Sequence, residues 1–156
     1  MSAPSKILAI DDDPAVTDYL QAKLGGSYHV IVSNAPLQAV ELARRELPDL
    51  ILCDVSMPDM DGYELCRRIK ADSVLADTPV VLLTADRTEA GDEERGLEAG
   101  SVDYLNKTLD RAVLQARLRL HLELRDAQRS LKSQNALLEA SVATRTEELE
   151  IGRAHV

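Results

Sequence analysis

The feature that most constrains this chain is the regular alternation of short apolar runs with stretches of helical periodicity. Lys6-Ile-Leu-Ala-Ile10, Tyr28 to Val32, Asp49-Leu-Ile-Leu-Cys53, Pro79-Val-Val-Leu-Leu-Thr84 and Val102 to Leu105 are four to six residues long and mostly apolar. Runs that short suit strands, and runs that apolar suit strands covered on both faces. Between them lie helical signals. Asp13-Pro14 supplies a cap and a first-turn proline, and Gly25-Gly26 ends that segment after Leu24. Pro36 opens a second helix that ends before Pro48; Glu64 to Ala71 forms a third, after a loop at Met57–Gly62. Glu89 to Ala99 forms a weaker fourth helix, with Gly91 and Gly96 inside it and Gly100 at its end. Five strands interleaved with helices predict an α/β domain with a parallel sheet. Right-handed crossovers leave few topologies, and the doubly wound, flavodoxin-like order 2-1-3-4-5 is the common one at this size. Ligands of such sheets bind beyond the carboxyl ends of the strands, where the winding reverses, here between strands 1 and 3.

From Leu109 the pattern changes, with no Pro or Gly before Gly152. Leu120, Leu124, Ala127, Leu131, Gln134, Leu138, Val142 and Leu149 trace a heptad seam with one stutter. Leu109 to Glu150 is 42 residues, or roughly 63 Å of helix. A compact domain of this size has a radius of gyration near ~13 Å, so most of the helix is expected to project. An apolar stripe on such a helix needs a partner, and a second copy in a parallel coiled coil is the default. Gln134 would then fix the register. The alternative is a lone solvated helix, since Gln134, Ser141 and Arg145 weaken the seam. The expected division is a sheet domain over 1–121 and a helical extension over 122–156, continuous with the fifth helix.

Charge narrows the function. The 156 residues carry a net −9. Residues 1–108 hold 10 basic and 20 acidic side chains, whereas residues 109–156 hold 8 and 7. The acidity thus belongs to the sheet domain, which argues against a nucleic-acid or anionic-membrane surface there. Four Tyr with no Phe or Trp make a poor base-stacking platform. Cys53 and Cys66 are too few for a disulfide scaffold and lack the flanks of a zinc site. The start MSAPSKILAI lacks a signal-peptide pattern, and no apolar run spans a bilayer, so a cytoplasmic location is expected.

The acidic residues are not scattered. Asp11, Asp12 and Asp13 follow strand 1, and Asp54 follows strand 3. The switch point brings these strand ends side by side. Two carboxylates ~5 Å apart repel by about 3 kcal/mol at an effective dielectric of 20. Such a cluster favours a bound cation, and Mg²⁺ suits a half-open, all-oxygen site. Asp13 reads better as the helix cap. Thr84 at the end of strand 4 and Lys107 after strand 5 reach the same edge. A carboxylate, a divalent ion, a hydroxyl and an ammonium form a phosphoryl site, with the carboxylate able to act as nucleophile. His29, His121 and His155 read as surface or packing residues.

These stretches, ILAIDDDP, LILCDVSMPDMDGYELCRRI, VVLLTA and EAGSVDYLNK, resemble the receiver domain of two-component response regulators over the first ~120 residues. The resemblance implies that Asp54 is the phosphoacceptor for a sensor histidine kinase or phosphotransfer protein. It implies that Asp11 and Asp12 form the acidic pair, with Asp12 a direct Mg²⁺ ligand and the Ser56 backbone carbonyl another. Thr84 and Tyr104 resemble the switch pair, and Lys107 the phosphate-contacting lysine. Ser56 and Asp86 would flank the path of attacking water. One departure stands out: Thr108 occupies the place where the family usually has a proline, often after a cis bond. Since a cis bond to a non-proline residue costs ~2.5–4 kcal/mol, either this bond is trans with a shifted loop or strain is stored there.

The segment HLELRDAQRSLKSQNALLEASVATRTEELE resembles linkers preceding HD-GYP or GGDEF cyclic-di-GMP effector domains, and an effector is expected beyond residue 156. The domain itself is expected to be a regulatory phosphoacceptor that catalyses only its own phosphorylation and dephosphorylation. Two other classes compete. One is a constitutive dimerisation scaffold without phosphorylation, supported only by Thr108. The other is a Mg²⁺-dependent phosphatase, which would need an acid–base Asp where Ser56 stands.

Overall fold

A computed structural model describes residues 3–85 and 91–154, with side chains as far as residue 143. The chain divides into two units, Met1–Leu122 and Glu123–Val156.

The first unit is built on five parallel strands: β1 (Lys6–Ile10), β2 (His29–Ser33), β3 (Leu50–Asp54), β4 (Val80–Thr84) and β5 (Asp103–Asn106). Their order, β2-β1-β3-β4-β5, is the doubly wound order expected from the sequence. Strands β2, β3 and β5 lie one residue later than the apolar runs suggest, because the ladder extends past them at their carboxyl ends. Asp54 is therefore the last residue of β3 rather than the first beyond it. The register sets Ile10 beside Cys53, Asp54 beside Leu83 and Thr84 beside Asn106. Asp11, Asp54, Thr84 and Lys107 thus stand within one residue of four strand ends, along one edge.

Helix α1 (Pro14–Leu24) starts as its sequence requires: Asp13 Oδ1 accepts the Ala15 N–H at 3.0 Å and Pro14 fills the first turn. Helix α2 spans Ala39–Glu46. Pro36–Gln38, expected to open it, forms a separate 3-10 turn in which the Gln38 N–H donates to the Ala35 carbonyl. Helix α3 (Gly62–Ala71) begins two residues earlier than expected, because the Asp61 carboxylate accepts the Glu64 N–H at 2.8 Å and makes Asp61 the cap. Helix α4 spans Asp92–Glu98; its expected start at Glu89 lies outside the described residues. Helix α5 runs Arg111–Ala154. It begins two residues after the expected Leu109, whose N–H turns back to the Asn106 carbonyl.

The period-two alternation of the strands splits the core into two layers. Leu8, Ile10, Ile51, Cys53 and Leu82 face α2, α3 and α4. Ile7, Ala9, Leu50, Leu52, Val81, Leu83 and Leu105 face Leu20 and Leu24 of α1 and Leu114, Leu118 and Leu122 of α5. A fully buried leucine of this kind contributes about 2 kcal/mol through removal of apolar surface from water.

In the second unit the helix presents Leu124, Leu131, Leu137, Leu138 and Val142 to solvent, each at least half exposed. Ala127 and Gln134 are exposed as well. The seam residue Leu149 lies outside the described side chains.

Candidate functional site

The site is assembled from strand ends. Asp11, just past β1, is buried and held in line because its N–H donates to the Ser33 carbonyl at 3.1 Å and its own carbonyl accepts from Asn34 Nδ2 at 2.8 Å. Asp54 closes β3, also buried, and its Oδ1 accepts the Ser56 N–H at 3.3 Å. Asp12 is more exposed. One carboxylate oxygen from each of Asp11, Asp12 and Asp54 lies within 4.8 Å of the others.

Lys107 enters from β5. Its N–H donates to the Thr84 carbonyl at 2.8 Å, which continues the ladder and fixes the side chain's origin. Its ammonium lies 2.8 Å from Asp11 Oδ2 and 2.9 Å from Asp54 Oδ1. All described peptide bonds are trans, that between Lys107 and Thr108 included. The lysine reaches both carboxylates all the same. The Thr108 N–H and hydroxyl both donate to Asn106 Oδ1, at 2.8 and 2.7 Å, and fold this turn locally. The replacement of proline by Thr108 therefore leaves the ammonium in contact with the cluster.

The electrostatics follow from burial. Desolvation pushes the Asp54 carboxyl above the ordinary aspartate value; the Lys107 hydrogen bond opposes this and the charge of Asp11 adds to it. Burial pulls the Lys107 ammonium down, but its two carboxylate partners outweigh that and hold it above the usual lysine value. Lys107 is thus charged at any physiological pH. Three carboxylates face one ammonium, leaving an excess of negative charge. Asp11 Oδ2 is buried and meets the ammonium without an aligned hydrogen bond. A net-negative cluster of three carboxylates, each offering an oxygen within 4.8 Å of the others, fits a hard divalent cation such as Mg²⁺.

Beside the cluster lies a cleft of about 590 Å³, lined in part by Ser56, Thr84, Tyr63, Tyr104, Asp92 and Arg95. Thr84 is buried at its rim. Tyr104 is not alone there. Its hydroxyl is 3.0 Å from that of Tyr63, and the rings stack with centroids 6.4 Å apart and planes at 11°. The Tyr63 hydroxyl also reaches the Asp92 carbonyl at 3.3 Å. Burial, reinforced by the Tyr104 hydroxyl, pushes the Tyr63 phenol well above its ordinary value, so it remains a hydroxyl. Tyr63 is a site residue that the sequence pattern does not single out.

Other expected residues resolve plainly. Asp86 lies outside the described residues. Cys53 and Cys66 are both free and fully buried in the same layer; burial raises both thiols, Cys66 to about 11. They pack as small apolar groups. His121 is buried with its Nε2 2.8 Å from Asp103 Oδ2, while Arg117 approaches the same oxygen at 3.2 Å. Among the described residues no helix is long and apolar enough to cross a membrane.

A doubly wound sheet with an acidic cluster and a lysine at its carboxyl edge defines a recognisable class. Residues 7–119 match the response regulator receiver domain family, and the chain belongs to it. Over 117 residues, 74% of this chain, it is 43% identical to the response regulator PleD of Caulobacter vibrioides, covering 25% of that protein. Over 144 residues, 92% of this chain, it is 33% identical to a probable cyclic di-GMP phosphodiesterase of Vibrio cholerae, covering 32% of it. The chain thus spans a quarter to a third of the length of these two relatives. Among solved structures it resembles the receiver domain of the sensor histidine kinase PA1611 of Pseudomonas aeruginosa, which has a magnesium ion coordinated in its active-site cleft. There the TM-score is 0.70 at 36% identity, over 78% of this chain and 99% of that one.

Proposed function

We propose that this domain is a phosphorylation switch in which Asp54 accepts a phosphoryl group from the phosphohistidine of a sensor histidine kinase or phosphotransfer protein. The observation that carries the reading is the Lys107 ammonium lying within 2.9 Å of both Asp11 and Asp54. It joins the nucleophile and the acidic pair in one charged site. An Asp54 carboxylate oxygen forms the new O–P bond as the N–P bond to the donor imidazole breaks, and the electron pair leaves with the imidazole. Lys107, charged and tethered through the Thr84 carbonyl, neutralises charge on the transferred group. Thr84 donates its hydroxyl to a phosphoryl oxygen. Asp11, Asp12, Asp54 and the Ser56 carbonyl would hold Mg²⁺, which supplies further positive charge beside the phosphoryl oxygens.

Movement of Thr84 toward the new group opens space for Tyr104, and the surface of α4, β5 and the start of α5 changes with it. The helical extension carries the change to an effector as a dimeric coiled coil, through the seam of Leu120, Leu124, Ala127, Leu131, Gln134, Leu138, Val142 and Leu149. Cyclic-di-GMP turnover is the proposed output. What supports it is similarity to the Vibrio cholerae phosphodiesterase over 144 residues, a longer stretch than the 117 shared with PleD.

The test is intact mass after incubation with Mg²⁺ and acetyl phosphate. One added phosphoryl group, absent in Asp54→Asn and lost with a chelator, is the expected result. No adduct, together with no beryllofluoride complex, favours the scaffold reading instead.

A further inference from the structure

Tyr104 is held on two sides by features the phosphoryl chemistry does not use. One is the hydroxyl pair and stacked ring of Tyr63. The other is Gly96 of α4, where an added Cβ would stand 3.0 Å from Tyr104 Cδ2 and 3.3 Å from Leu82 Cδ1. A glycine in mid-helix is costly; here it makes room for the Tyr104 ring against β4. Tyr63 is in turn clamped. The Arg95 guanidinium sits over its ring at 4.3 Å, and its hydroxyl reaches the Asp92 carbonyl. At its other end Tyr63 is coupled to the nucleophile's own strand. The preceding Gly62 donates its N–H to the Val55 carbonyl at 2.8 Å, and a side chain at Gly62 would overlap the Asp54 carbonyl. The first turn of α3 therefore rests directly on the backbone that carries Asp54.

We infer that Tyr63 is the positioning residue of the switch: its hydroxyl and ring, braced by Arg95, hold Tyr104 in its resting place, and switching requires that contact to open. The inference rests on the reading of Asp54 as phosphoacceptor and of Thr84 and Tyr104 as the moving pair. It gives that pair a stop. Tyr104 cannot follow Thr84 without giving up a 3.0 Å hydrogen bond and a stacked neighbour. The resting state is thereby favoured, and the apparent affinity of the site for a phosphoryl group is reduced by the fraction of molecules already released.

The full chain is labelled with 3-fluorotyrosine, which gives four fluorine resonances for Tyr19, Tyr28, Tyr63 and Tyr104. Tyr104→Phe identifies the Tyr104 signal. The probes are Mg²⁺ alone and then beryllofluoride with Mg²⁺. In Tyr63→Phe, which keeps the ring and removes the hydroxyl, the Tyr104 resonance of the free protein moves toward its beryllofluoride position. Half-saturation by beryllofluoride then falls about fivefold, the factor carried by one net hydrogen bond. Gly96→Ala, which crowds the ring from the other side, shifts both readouts in the same direction. The midpoint for Mg²⁺ alone stays unchanged in both variants. A Tyr104 resonance unmoved in the free Tyr63→Phe protein overturns the inference, whatever the phosphodonor does. So does an unchanged beryllofluoride midpoint accompanied only by a lower melting temperature, which marks a merely structural tyrosine. Failure of the wild-type chain to take up any phosphoryl group or beryllofluoride overturns the phosphoacceptor reading instead; the free-protein resonance then still decides whether Tyr63 positions Tyr104.

Discussion

The two stretches of α5 read alike in sequence and differ in what surrounds them. In its first three turns Leu114, Leu118 and Leu122 recur every fourth residue and are buried, with Leu118 at 0% exposure. Past Leu122 the leucines continue at helical spacing, yet Leu131, Leu137 and Leu138 are 57%, 72% and 62% exposed. The first stretch is helical because a sheet face requires it. In the second, these leucines are not among the buried residues, and propensity alone gives an isolated helix little stability. The same residue type thus serves as core in one unit and as offered surface in the other.

Substitution separates them most sharply. Leu118→Ala should lower the unfolding free energy of the sheet unit by about 3 kcal/mol, read by urea denaturation. Leu131→Ala should leave that transition within about 0.5 kcal/mol while weakening self-association about tenfold, read by sedimentation. Equal losses of stability from both would erase the distinction. Residues 1–122 alone should sediment as a monomer and still take up a phosphoryl group from acetyl phosphate. A dimer in that fragment would move the association surface out of the helical extension.

The smallest effect is one of pH, and it belongs to the sheet unit. Arg44 pairs with the carboxylate of Asp72, the residue that ends α3, and holds its carboxyl below the ordinary aspartate value. A carboxyl depressed on folding stabilises the native state above its unfolded pKa of about 3.9, and that contribution disappears as pH falls through the lower folded value. Arg44→Ala should therefore be less stable than the parent at pH 7, and the two should converge as pH falls through the lowered Asp72 value. A difference that persists undiminished into acid would mean that Arg44 acts through packing rather than charge.

Much of this molecule is legible before any coordinates. The strand order follows from five apolar runs separated by helical stretches, since right-handed crossovers leave few alternatives. The carboxylate cluster and Lys107 follow because each sits at the end of such a run, and a parallel sheet collects its strand ends along one edge. What stays hidden depends on contacts between elements far apart in sequence. Tyr63 and Tyr104 are separated by 41 residues and meet only because α3 and β5 border one cleft. Its one local hint is an aromatic residue directly after the glycine that packs on Asp54. Gly96 looks like a weakness in α4 until the Tyr104 ring is seen beside it. The Pro36 turn and the Asp61 cap are local but turn on single hydrogen bonds, which apolar periodicity does not report. The trans bond before Thr108 is the form a non-proline residue favours; the local turn that Thr108 makes on Asn106 Oδ1 is what no spacing rule contains.

The Lys107 bridge has a consequence for the ionic life of the domain. An acidic site with no cation of its own must either take up protons or wait for metal. Here a covalently tethered counterion already sits between Asp11 and Asp54. Loading the site with a divalent ion is then an exchange of partners rather than the filling of a void, and much of the attraction is offset by what the lysine gives up. A divalent ion at such a site would be held less tightly than by the same carboxylates without a lysine between them.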